Sequence, residues 1–145
     1  MTDIAAAIGL GQFVHIEAIT ARRQALARHY FSCFGKEFEL KTGAQLPVAD
    51  FVHSNWHLFE IVLPNHVVRA DFMAKMLEMN IGLGYHYAAI HLFTMYRNRG
   101  FKPGMFPMAE RIGRQIVTLP MFSTLQENEI ERTVDAVKSV LAGFA

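Results

Sequence analysis

Residues 56–64 read WHLFEIVLP. Aromatic and branched side chains of this kind suit extended chain. Pro64, with no N–H to give a ladder, closes the stretch, so the reading predicts a strand. Just beyond it, VVRADFMAKMLEMN (67–80) sets Val68, Phe72, Met76 and Met79 along one side of a helix, with Asn80 as a left-handed stop. IGLGYHY (81–87) reads as a second strand whose glycines leave room for a close neighbour. AAIHLFTMYRNRG (88–100) reads as a helix ending at Gly100, and Pro107 opens a short helix through Arg114. QIVTLP (115–120) is a third strand, cut by Pro120. Thr124 and Glu127 fit a capping box for a final helix, striped by Ile130, Val134, Val137 and Leu141 and ended by Gly143. This order of elements predicts an α/β (α+β) layer: a small three- to four-stranded sheet covered by helices.

Upstream, residues 3–34 read as one long helix or two joined, with Ile4, Ile8, Ile19, Leu26 and Tyr30 on a broad face. Gly9 and Gly11 each cost about 1 kcal/mol there relative to alanine. A helix tolerates that where another backbone comes close. Gly35 stops the helix, and residues 35–52 form a loop with Gly43 and Pro47.

A chain of 145 residues has the size of one domain. Its net charge is +1, and its 14 basic residues never form a run of four, which argues against nucleic acid or an acidic membrane as partner. The single cysteine, Cys33, cannot form an internal disulfide and fits a reducing compartment. The opening residues carry Asp3 and no basic leader, and no apolar run approaches the ~18 residues of a membrane span. A cytoplasmic location is expected. The apolar share is 52%, with twelve Phe and eight Met, which means either a well-filled core or a surface that a partner covers.

The densest polar cluster is Tyr85, His86, Tyr87 and His91, at a predicted strand end and the turn beyond it. Such a place lines a pocket, or holds satisfied polar groups within an apolar layer. His53 and His57 stand four apart, but the chain after His57 reads as strand and no third ligand has metal-site spacing, so no metal is expected. Cys33 has no activating neighbour in the sequence, and the acidic pairs Glu127/Glu129 and Glu131/Asp135 suit a solvated helix face. No phosphate-binding glycine loop or GxSxG motif is present.

The segments MTDIAAAIGLGQ, ARRQALARHY, WHLFEIVL, IGLGYHYAAIH, MYRNRG and FPMAERIGRQIVTLPMF, followed by the closing helix, occur in this order over nearly the whole chain. Together they resemble the C-terminal portion of the DegT/DnrJ/EryC1/StrS family, nucleotide-sugar aminotransferases that use pyridoxal phosphate (PLP). The resemblance implies the small domain of a fold-type I aminotransferase. Residues 1–35 would be a helical lead connecting domains and facing a dimer interface, and 36–145 the small domain itself. The chain would then be the C-terminal part of a longer enzyme, or the product of a truncated or internally started gene. It would work as a homodimer or with the missing large domain.

The activity implied is transfer of an amino group from glutamate to a keto-sugar nucleotide, with PLP in the complete enzyme. None of Lys36, Lys41, Lys75, Lys102 and Lys138 stands in the family's Schiff-base context, so no catalytic residue, no bound PLP and no transamination are expected of this chain alone. The resemblance assigns His86, Tyr87 and His91 to positioning the sugar nucleotide. It leaves Arg97 and Glu110 structural roles. Ala89 stands where many members have proline, and this is similar to the branch that makes UDP-4-amino-4-deoxy-L-arabinose for lipid A, which implies a UDP-4-keto-pentose substrate. The alternative is a stand-alone, non-catalytic module that dimerises or binds a partner through its apolar lead helix.

Overall fold

In the computed structural model, which describes residues 1–144, strands β1 (Phe59–Val62) and β2 (Ile116–Leu119) pair antiparallel. The register sets Phe59 against Leu119, Glu60 against Thr118, Ile61 against Val117 and Val62 against Ile116. Phe59 and Ile61 turn into the core, while Glu60 and Val62 lie half-buried on the other face, as the two-residue period of a strand requires. The ladder gains one residue on each side, Gln45 against Val62 and Gly84 against Thr118.

The expected three- to four-stranded sheet is therefore a two-stranded one, flanked by single bridges. Residues 81–87 do not form a strand. Gly84 exchanges both backbone hydrogen bonds with Thr118, at 3.1 and 2.8 Å, but the His86 ring folds back over it. A β-carbon on Gly84 would lie 3.1 Å from His86 Cε1. Tyr85 meanwhile turns away to stack under the Arg69 guanidinium, so pairing ends after one residue.

The lead is two joined helices, the second of the two arrangements expected: α1 (Asp3–Phe13) and α2 (Ile16–Phe34) meet at a 58° bend. α3 (Phe38–Thr42) is a single turn inside the expected loop. α4 (Arg69–Glu78) and α6 (Pro107–Gln115) lie where the sequence puts them. The expected helix over 88–100 shrinks to a 3₁₀ turn at Ile90–Leu92 and α5 (Thr94–Arg97), because His91 turns inward. α7 (Glu127–Ala142) starts two residues later than its expected cap. The Glu129 carboxylate accepts from the Gln126 N–H at 2.8 Å, while buried Leu125 leaves Thr124 outside the helix. No single helix among the described residues is long and apolar enough to cross a membrane.

The core lies on the Phe59/Ile61 face. The second half of α2 (Leu26, Tyr30, Phe34) packs there against α7 (Ile130, Val134, Val137), with Phe72 and Met76 of α4 beside them. Tyr30 stacks on Phe59 at 4.5 Å, and its hydroxyl donates to the Pro120 carbonyl at 2.8 Å, which satisfies its one buried polar atom. α1 buries none of its residues. A β-carbon at Gly9 or Gly11 would meet nothing within 4 Å beyond its own stretch of helix, so among the described residues the close backbone approach expected of them is not made.

Candidate functional site

The Glu60/Thr118 face of the β1–β2 ladder, opposite the core, holds the candidate site. Thr118, on β2, points there, and its Oγ1 lies 2.8 Å from His86 Nδ1. That contact fixes the imidazole on a rigid two-strand support. The His86–Tyr87 peptide is cis, and the two rings meet edge-on at 4.8 Å. Tyr87 is 69% exposed, so its hydroxyl is free for solvent or ligand.

Glu60 stands opposite Thr118 in the register. Burial holds its carboxyl above the usual carboxylate range, and the His86 ring and Thr118 hydroxyl draw it partly back. Sequence reasoning missed Glu60. The available signal was a lone acidic residue inside a stretch otherwise aromatic and branched.

His91 is not brought to the His86–Tyr87 pair. It is 8% exposed, with Nε2 3.0 Å from Glu110 Oε1 and its ring edge-on to Phe106 at 4.9 Å. The same Glu110 oxygen accepts the Gly104 N–H at 2.7 Å. One carboxylate thus joins the 3₁₀ turn, the 98–106 loop and α6. The hydrogen bond from His91 is the largest cause that holds the Glu110 carboxyl below its ordinary value. Burial opposes it, and the Gly104 and Phe106 N–H groups add to it. A carboxyl depressed on folding contributes stability above the ordinary carboxylate range and loses it as pH falls through the folded value. Glu110→Gln is therefore expected to lower the melting temperature at neutral pH and to flatten the loss of stability on acidification below about pH 4. Thermal melts across that range check both effects. Arg97 is exposed and its side chain makes no hydrogen bond or ion pair among the described residues.

The remaining candidates are occupied elsewhere. His53 Nδ1 pairs with Asp50 at 3.1 Å, and among the described residues no three His, Cys, Asp or Glu side chains converge on a metal-sized site. Burial pushes the Cys33 thiol up, the opposite of an activated nucleophile. Lys138 Nζ donates to the Cys33 carbonyl at 2.7 Å, Lys41 pairs with Glu37, and Lys75 lies over the Phe144 ring. Lys36 and Lys102 are exposed, and no lysine lies on β1, β2 or the 84–91 segment. A PLP group needs a lysine and an acidic residue facing one another across its ring. The residues present do not form that pair around His86.

Next to the site, Tyr85, Arg69, Arg111 and Arg114 line a cleft of about 770 Å³ with no carboxylate among its walls. Arg69 is held there by the Gly113 carbonyl at the end of α6, at 2.7 Å.

Residues 1–138 match the model of the DegT/DnrJ/EryC1/StrS aminotransferase family. The chain is 31% identical over 147 residues to the uncharacterized protein MJ1066 of Methanocaldococcus jannaschii, covering 98% of this chain and 37% of that one. Its fold is that of Spr1654 from Streptococcus pneumoniae in the PLP form, with TM-score 0.87, 23% identity, and coverage of 100% of this chain and 37% of the other. It is also similar to DesV of S. venezuelae, solved in complex with a ketimine intermediate, with TM-score 0.81, 28% identity, and coverage of 94% and 35%. The chain thus spans little more than a third of the length of each relative.

Proposed function

Because the chain belongs to the DegT/DnrJ/EryC1/StrS aminotransferase family, we propose that it is the substrate-positioning small domain of a PLP-dependent sugar aminotransferase. The complete cytoplasmic enzyme would move an amino group from glutamate to a keto-sugar nucleotide. One observation carries the reading: Thr118, on a rigid ladder, holds His86 beside the exposed Tyr87. Two polar side chains held in this way suit orienting a sugar. His91 acts from behind, bracing the segment through Glu110.

PLP supplies the electron sink of transamination. Among the described residues no lysine lies on β1, β2 or the 84–91 segment; on this reading the group and its lysine are supplied from outside this chain, and the chain by itself does not transaminate. The Ala89 resemblance favours a UDP-4-keto-pentose, which is the first ligand to titrate.

The test uses two readouts on the purified chain. NMR titration with the UDP-4-keto-pentose is expected to shift the His86 and Tyr87 signals, with UDP alone as the comparison. Signals unmoved by either would overturn the positioning role. Incubation with PLP and then borohydride is expected to leave the intact mass unchanged. A single stoichiometric lysine adduct would overturn the placement of the cofactor lysine elsewhere.

The alternative, a non-catalytic module that self-associates, draws on α1, where Ile4, Ile8, Leu10 and Phe13 are all more than half exposed. A homodimer by sedimentation that dissociates on Ile8→Glu, with no response to the nucleotide sugar, would favour it.

A further inference from the structure

Glu60 is a carboxylate that the reading above leaves unused. Its Oε1 is shut off from solvent without a hydrogen-bond partner, and it forms no ion pair among the described residues. A carboxyl group in that state costs free energy and calls for an explanation. Leu63 donates to the Gln115 carbonyl across the ladder, and Thr118 exchanges its backbone bonds with Gly84 instead of β1. Glu60 and Thr118 are therefore the non-hydrogen-bonded kind of antiparallel pair, in which opposite side chains come closest. Thr118 Oγ1 in turn lies 2.8 Å from His86 Nδ1.

A hydroxyl has one proton to give and two lone pairs to accept with. A neutral imidazole that donates from Nδ1 keeps Nε2 as an acceptor. We propose that Glu60 is a positioning residue that sets the tautomer of His86: its carboxylate accepts a hydrogen bond from the Thr118 hydroxyl, the hydroxyl oxygen accepts from Nδ1–H, and Nε2 is left as a lone pair to accept from a ligand. This rests on the substrate-positioning role of His86 and adds the kind of group that His86 reads. An Nε2 lone pair selects a ligand hydroxyl. The reverse relay would present Nε2–H and select a carbonyl or phosphate oxygen. Glu60 thereby tunes which part of the sugar nucleotide lies against the ladder.

The experiment is ¹⁵N NMR of the imidazoles in the labelled full chain at about pH 8, where histidine is neutral, with the His86 signal assigned by its loss in His86→Gln. The wild-type chain is expected to show His86 as the Nδ1–H form. In Glu60→Gln the ratio of the two tautomers is expected to fall about tenfold, as loss of one charge-assisted hydrogen bond implies. Thr118→Val, which keeps the side-chain shape, is expected to erase the preference as well. The exposed His57 should not change in either variant. A wild-type Nε2–H form, or an unaltered ratio in either variant, would overturn the relay. These readings need no ligand. The failure of the UDP-4-keto-pentose titration and the failure of the Glu60 relay are therefore separate results.

Discussion

Replacing Gly113 by alanine is expected to destabilise the protein by about 1–3 kcal/mol, and by valine more. Gly113 lies in α6 and is buried. A β-carbon there would sit 2.7 Å from the Ala89 backbone nitrogen, 3.3 Å from the Ala88 carbonyl carbon and 3.4 Å from its α-carbon. These are backbone atoms, so no rotamer change relieves the clash, and the 88–91 segment must move off α6. That movement would pull His91 from Glu110 and shift the chain that leads back to Tyr87. Helix propensity argues the other way, since an unhindered helical Gly→Ala change gains up to about 1 kcal/mol. The two effects differ in sign, so denaturant unfolding of Gly113→Ala decides between them. A variant more stable than the wild type would show that α6 and Ala89 do not approach this closely.

Phe59→Ala is expected to cost about 3–5 kcal/mol, a large part of the 5–15 kcal/mol that holds a typical domain. Phe59 is fully buried and meets Tyr30, Phe31, Phe34 and Trp56 at ring separations from 4.5 to 6.2 Å. It links α2 to the strand that carries Glu60. Removing its ring leaves a cavity bounded by large, rigid neighbours that collapse poorly. Phe122, which is exposed at 45%, serves as the control. Phe122→Ala should change stability by no more than about 0.5 kcal/mol. Equilibrium unfolding of the two variants in parallel checks the contrast. Similar losses would mean that the aromatic cluster is not the centre of the core.

The sequence by itself determined the elements whose causes are local. Pro64 and Pro120 bound β1 and β2, Pro107 opens α6, and the Ile130–Val134–Val137–Leu141 stripe marks α7, because period and punctuation act within a few residues. The family resemblance rested on the order of those same segments. The tertiary structure decided what depends on partners distant in the chain. IGLGYHY has the composition of a strand, but only Gly84 pairs with Thr118, since the His86 ring covers its own backbone and Tyr85 is drawn to Arg69. His86 and His91, five residues apart, part company because Thr118 binds one and Glu110 the other, 32 and 19 residues away along the chain. Glu60 and Gly113 gave no periodic signal. A carboxylate matters once the register sets Thr118 opposite it, and a glycine once another backbone comes within 3 Å of where its β-carbon would be. Both are properties of packing, and packing is written in no single stretch of the chain.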